Sequence, residues 1–211
     1  METEARLLYV ADPMCSWCWG FTPILAHFEA SFPNTSVQVV LGGLAPDSTE
    51  PMEPDMRAYV QQAWHDVGAQ TGVEFNFDFW EQCSPRRSTW PACRAVVIAR
   101  RFDLERAMFG EIQKAYYLQA QDPSNEETLA NIAETLGMDR AAFLQELHAK
   151  ATQVELNADF DIRRSLGVTS FPSLGVAYQS KLELLHSGWV NRDEVVHLWK
   201  RWRNALGPRH A

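Results

Sequence analysis

The sequence predicts an α/β protein whose sheet is interrupted by a long helical block. Three observations lead there. The chain opens on a strand, a helix and a strand, it closes on helix, strand, strand and helix, and the residues between carry helical periodicity without a strong strand pair. A helical block inserted into one α/β domain explains this order better than two domains in sequence. The expected division is an α/β domain made of residues 1–48 and 152–211, with an inserted helical domain over 49–151.

Each element has its own signal. Leu7-Leu8-Tyr9-Val10-Ala11 is a short apolar run, as expected of a buried strand, and Asp12-Pro13-Met14-Cys15 follows at once. Trp19, Ile24, Leu25, Phe28 and Phe32 then recur at helical spacing until Pro33 stops them. Residues 36–41 are rich in β-branched side chains and end at Gly42-Gly43, which predicts a second buried strand. The three form a βαβ unit, whose strands are expected to run parallel.

In the middle, Met56, Tyr59, Val60, Ala63, Trp64 and Val67 make an apolar helical stripe. Val73, Phe75, Phe77 and Phe79 alternate with polar residues, so this stretch is extended, either a short strand or an ordered loop. Ser124-x-x-Glu127 reads as a capping box ahead of Leu129, Ile132, Ala133 and Leu136, and Asp139 is expected to start another helix carrying Phe143 and Leu147. Towards the end, Gly167 has the place of a residue just past a helix C-terminus. Residues 173–178 and 182–186 read as paired strands, and a last helix is expected from about Asn191 to Asn204.

Composition narrows the function. The 211 residues carry a formal net charge of -8, with 46% hydrophobic and 22% charged residues. An acidic balance argues against nucleic-acid or polybasic membrane partners, which need clustered Lys and Arg. The short pairs Arg86-Arg87, Arg100-Arg101 and Arg163-Arg164, and the Lys200-Arg201 region, are read as solvated faces. The first residues, Met1-Glu2-Thr3-Glu4, are acidic where a signal peptide would be basic, and no run approaches a membrane span. The expected setting is the cytoplasm, where disulfides are usually transient and catalytic.

The chemistry points to Cys15-Ser16-Trp17-Cys18, at the junction of the first strand and first helix. Cysteines three apart in a first helical turn can bond without backbone movement. The first of them faces unpaired backbone N–H groups and the positive end of the helix dipole, both of which stabilise a thiolate. Cys18, one turn in, is expected to be the more buried resolving thiol. Zinc is the rival for any Cys-x-x-Cys, but it needs two more ligands, which Cys83 and Cys93 would have to supply from the helical block. Cys93, within an apolar helical run, is expected to be buried and inert, and the six histidines show no paired ligand spacing. No metal or cofactor is therefore expected. The eight tryptophans are expected to be mostly core, with Trp17 and Trp19 offering an apolar rim for peptide substrates.

Asp12-Pro13-Met14-Cys15-Ser16-Trp17-Cys18-Trp19-Gly20 resembles the active-site motif of DsbA-like oxidoreductases, in the FrnE-like branch, and Gly167-Val168-Thr169-Ser170-Phe171-Pro172-Ser173-Leu174 is similar to the cis-proline segment of thioredoxin-like proteins. Gly42-Gly43-Leu44 and Trp90-Pro91-Ala92-Cys93-Arg94-Ala95 resemble the same branch less specifically. The resemblance implies a thioredoxin-like fold with a large helical insertion. It implies Cys15 as nucleophile, Cys18 as resolving cysteine, a cis Pro172 beside them, and Trp17, Phe171 and Ser170 as substrate contacts. The partners would be protein or peptide thiols and disulfides, with glutathione as a candidate co-substrate. A cis X-Pro in a tight turn would leave the Phe171 backbone free to pair with an extended substrate.

One departure stands out. Members of the wider fold often bury a carboxylate six residues before the first cysteine, and here that position is Tyr9, with Asp12 either a substitute or a loop residue. Two other readings stay open: a glutathione-dependent transferase or isomerase related to the kappa-class and hydroxychromene-carboxylate enzymes, and a non-catalytic peptide clamp.

Overall fold

The computed structural model describes residues 5–206; the acidic residues 1–4, which bear on the targeting expectation, and residues 207–211 lie outside it. The chain runs β1 (Arg6–Ala11), α1 (Ser16–Ser31), β2 (Ser36–Leu41), α2 (Pro54–Thr71), α3 (Phe79–Gln82), α4 (Trp90–Arg100), α5 (Glu105–Tyr117), α6 (Glu126–Thr135), α7 (Arg140–Leu147), α8 (Lys150–Ser165), β3 (Ser173–Tyr178), β4 (Lys181–Ser187) and α9 (Arg192–Ala205).

The sheet order is β2-β1-β3-β4. β1 pairs with β2 in parallel, Tyr9 opposite Val39, as a βαβ unit requires, and with β3 in antiparallel, Tyr9 opposite Leu174. β4 closes the sheet in antiparallel to β3, with a register shift between Leu174 and Gly175. The sheet as a whole is therefore mixed. Side chains alternate across a strand, so β1 serves two cores. Leu7, Tyr9 and Ala11 join Phe21, Leu25 and Phe28 of α1 and Trp199 of α9. Leu8 and Val10 meet Val40, Leu166 and Val168 on the α8 side.

The helical block, α2 to α7, has Trp64 at its centre. The rings of Phe75, Phe79, Trp80, Tyr116 and Tyr117 lie 5.0–5.5 Å from it, centre to centre, with Phe77 at 5.8 Å. Residues 73–78 are accordingly an ordered loop. The alternation there marks which rings turn to Trp64 rather than strand pairing.

Several local expectations need correction. On α2 the buried stripe is narrower than its pattern: Val60, Trp64 and Val67 are buried, whereas Tyr59 is 66% exposed and Met56 is also on the surface. Ser124 and Glu127 form no capping box. α6 starts one residue later, with Asn125 as its N-cap, because the Ser124 hydroxyl donates to the Asp122 carboxylate (2.8 Å) and Arg86 holds the Ser124 carbonyl. Glu127 pairs with Arg140 instead. Asp139 does cap α7, accepting from the Ala142 N–H at 2.7 Å, and Asn191 caps α9 through the Glu194 N–H at 2.9 Å. Gly167 follows α8 with φ 68°. The arginine pairs are not simply solvated faces: Arg86, Arg100 and Arg163 are each half-buried and bonded, Arg163 to the Gly42 carbonyl at 2.6 Å.

Candidate active site

α1 begins in the loop that leaves β1, and a buried carboxylate shapes that loop. Asp12 has no exposed surface. Its Oδ1 accepts from the Met14 N–H (2.9 Å), and its Oδ2 accepts from the Leu44 N–H (2.7 Å) and the Thr89 hydroxyl (2.6 Å), with the Cys93 thiol donating at 3.5 Å. The β1–α1 loop, the turn after β2 and the start of α4 thus meet at one side chain. Burial pushes the Asp12 carboxyl up, and these hydrogen bonds pull it part of the way back. Asp12 holds the loop together, and its charge also reaches Cys18.

Cys15 is the N-cap of α1, with extended backbone (φ -89°, ψ 117°). Its carbonyl accepts the first helical bonds, from Cys18 N (2.9 Å) and Trp19 N (3.1 Å), which sets the two cysteines one turn apart. Both are free thiols. Cys15 is 8% exposed and Cys18 not at all. The Cys18 thiol is held well above its ordinary range by burial first, then by hydrogen bonding to Cys15 and by the Cys15 charge.

The second wall of the site is the segment before β3. The Phe171–Pro172 peptide is cis, and the Cys15 Sγ lies 3.6 Å from the Phe171 carbonyl. The turn after β2 supports this wall by close approach. A Cβ at Gly42 would fall 2.3 Å from the Phe171 ring, and Gly43, at φ 63°, leaves room for Phe160 and Trp90.

The structure therefore brings Cys15, Cys18, Phe171 and Pro172 together. Trp17 is half-buried on the rim, where it meets Trp189 at 6.1 Å. Trp19 is half-buried as well. It stacks on Tyr117 (5.7 Å) and donates from Nε1 to the Glu74 carbonyl, so it ties α1 to the helical block. Ser170 is exposed near the site, but its hydroxyl pairs with Ser187 at 2.9 Å and its carbonyl accepts from the Ser173 hydroxyl at 2.8 Å. Cys83 donates to the Ala120 carbonyl, whereas Cys93 donates to Asp12. Among the described residues no three His, Cys, Asp or Glu side chains are grouped to hold a metal ion. No described helix is long and apolar enough to cross a membrane.

Three participants carried little signal in the sequence. Trp189 is an isolated aromatic after β4, and Thr89 is one of many hydroxyls. Tyr9, read as occupying a carboxylate's place, in fact reaches the site: its hydroxyl donates to the Cys18 carbonyl at 3.3 Å.

Known proteins share this fold. A Nitrosomonas europaea protein, proposed to be a protein disulfide isomerase, superposes with a TM-score of 0.85 at 29% identity, covering 97% of this chain and 100% of that one. The cytosolic disulfide reductase DsbM of Pseudomonas aeruginosa superposes with a TM-score of 0.73 at 23% identity, over 95% of this chain and 96% of that one, and it has also been solved with GSH. The ClpXP adapter protein SpxH of Bacillus subtilis is 21% identical over 166 residues, 77% of this chain and 55% of the relative, so the chain spans about half the length of the curated relatives it matches. The model of the DSBA-like thioredoxin domain matches residues 6–190, and the chain belongs to that family, with a thioredoxin-like fold carrying a large helical insertion.

Proposed function

We propose that this protein is a thiol–disulfide oxidoreductase in which Cys15 is the nucleophile and Cys18 the resolving thiol. One observation carries the reading. Two free thiols sit one turn apart at the start of α1, the outer one against the Phe171 carbonyl and the inner one sealed from solvent. The Cys15 thiolate attacks a substrate disulfide R–S–S–R′, forming Cys15–S–S–R and releasing R′–S⁻, which takes up a proton. Cys18 then loses its proton and attacks the Cys15 sulfur. The Cys15–Cys18 bond forms as R–S⁻ leaves and is protonated.

The raised Cys18 thiol suits this order. Two of the influences that raise it, the hydrogen bond to Cys15 and the Cys15 charge, disappear once Cys15 is tied up in the mixed disulfide. Cys18 is then freed to act when there is something to resolve. These steps reduce the substrate disulfide, and two glutathione thiols would return the Cys15–Cys18 disulfide to the dithiol by the same exchange, leaving as glutathione disulfide. That direction and a cytoplasmic setting are supported by DsbM, a cytosolic disulfide reductase solved with GSH. Trp17 and the backbone of Ser170 and Phe171 flank the reacting sulfur and would hold a peptide or glutathione. Binding without turnover is the second reading, favoured by the adapter role in the name of the B. subtilis relative; the intact dithiol argues for turnover.

The test is Cys18→Ser with insulin or glutathione disulfide as substrate. The variant should lose turnover by at least about a hundredfold and accumulate mixed disulfides on Cys15, seen by mass spectrometry. Parent protein without disulfide turnover, and a variant that traps no adduct, would leave the clamp reading in its place.

A further inference from the structure

Tyr9 lies in the middle of β1, 2% exposed, its ring stacked on Phe21 at 5.5 Å and edge-on to Phe109 of α5 at 6.3 Å. Packing alone would be served by phenylalanine. Among the described residues the hydroxyl makes one hydrogen bond, donating to the Cys18 carbonyl at 3.3 Å, and the Cys18 thiol lies near enough to act on it electrostatically. Burial first, then the charges of Cys18 and Cys15, push the Tyr9 hydroxyl well above its ordinary value, so it keeps its proton and remains a donor throughout the neutral range.

We propose that Tyr9 is a positioning residue for the resolving step, its hydroxyl turning from the Cys18 carbonyl to the Cys18 sulfur as that sulfur becomes a thiolate. The inference rests on the dithiol reading above. In the mixed disulfide, the proton of Cys18 leaves and ends on the departing R–S⁻. The electron pair left on Cys18 forms the bond to Cys15 as the Cys15–S–R bond breaks. Tyr9 gives up no proton; it holds a hydrogen bond to the sulfur that carries the charge. The other groups facing this pair are Cys15 on α1, Asp12 in the loop before it, and Arg106 and Tyr117 from α5. Asp12 opposes a thiolate at Cys18 by its charge, and its backbone N–H favours one. Arg106 acts on Tyr9 in the opposite sense to burial.

Tyr9→Phe tests this while keeping the stacked ring. A hydrogen bond to a charged sulfur should be worth about tenfold in the Cys18 ionisation, so its midpoint should rise by about one pH unit. The bare thiolate is the better nucleophile by about threefold per unit, which returns part of the loss. Release of thiol from a preformed mixed disulfide should therefore slow about three- to fourfold at pH 7, with the gap closing as pH approaches the Cys18 midpoint. Cysteine Cβ carbon-13 shifts give the midpoint without any need for turnover, so failure of the oxidoreductase reading and failure of this one are told apart. Fluorotyrosine at position 9, a stronger donor, should move the midpoint down. Tyr117→Phe removes a buried hydroxyl that has no hydrogen-bond partner among the described residues, and should leave the midpoint where it is. An unmoved midpoint in Tyr9→Phe, an equal shift in Tyr117→Phe, or a slowing that is the same at every pH would overturn the role.

Discussion

Asp12 shows what a single buried side chain does here. Removing it as Asp12→Ala would leave the Leu44 and Met14 N–H groups without an acceptor in a dry site, while the Thr89 hydroxyl would keep only the Ala45 carbonyl at 3.3 Å. Each stranded donor costs about 1–3 kcal/mol, so the variant should lose about 3 kcal/mol or more in urea unfolding. Asp12→Asn should behave differently. Burial holds the Asp12 carboxyl above its unfolded value, so the folded chain keeps a proton that the unfolded chain has released. The parent therefore loses stability from this group as pH rises from about 4 towards the folded midpoint. The amide has no such window, and Asp12→Asn should gain on the parent between pH 4 and 7. A gap that widens with pH would mean that the hydrogen bonds, not burial, dominate. The sequence placed Asp12 in the right loop but left its role open, since its partners Leu44, Thr89 and Cys93 arrive from segments 32, 77 and 81 residues away.

Elements were legible where local chemistry decides them. The β-branched run at residues 36–41 and the apolar run after Arg6 are strands because their side chains fill both faces of a covered sheet. Asp139 and Asn191 cap helices because, among the described residues, no other donor takes their oxygens. The capping box at Ser124 failed because Asp122 and Arg86 claim that residue first, and no pattern within α6 reveals them. The turn after β2 is a middle case: Gly42-Gly43 announces a tight turn, yet only the structure shows that Phe171 is what it admits. Gly42→Ala tests that contact. The new methyl would press on the far end of the Phe171 ring, which can move, so the loss of stability should be small, about 1–2 kcal/mol. The displaced ring would carry the Phe171 carbonyl away from Cys15, and kcat/KM for a peptide disulfide should fall about tenfold. A variant with parental kcat/KM would show that the carbonyl's position does not matter to turnover.

At the scale of the whole molecule, the helical block is joined to the sheet by a charged contact that no sequence pattern announced. Arg100, at the end of α4, sends Nη2 and Nη1 to the Asp159 carboxylate on α8 (2.7 and 3.2 Å), and that carboxylate also accepts from the Leu41 N–H at the end of β2 (2.9 Å). Read as one of a pair of solvated arginines, Arg100 in fact links block, outer helix and sheet one residue before the turn that backs Phe171. Burial alone would lower its guanidinium, but the hydrogen bonds and charges of Asp159 and Glu105 outweigh burial and hold it above its ordinary value. Asp159 is the more buried partner, its side chain 4% exposed against 33% for Arg100. Removing the cation therefore strands a buried anion, whereas removing the anion leaves an arginine that can turn to Glu105 and water. Arg100→Met should lose about 3 kcal/mol, and Asp159→Asn less, because the amide oxygen can still accept from Leu41. The double variant should be more stable than Arg100→Met alone, since no bare charge remains. Urea unfolding of the parent and three variants measures these differences, and losses that simply add in the double variant would show that the two groups are not coupled.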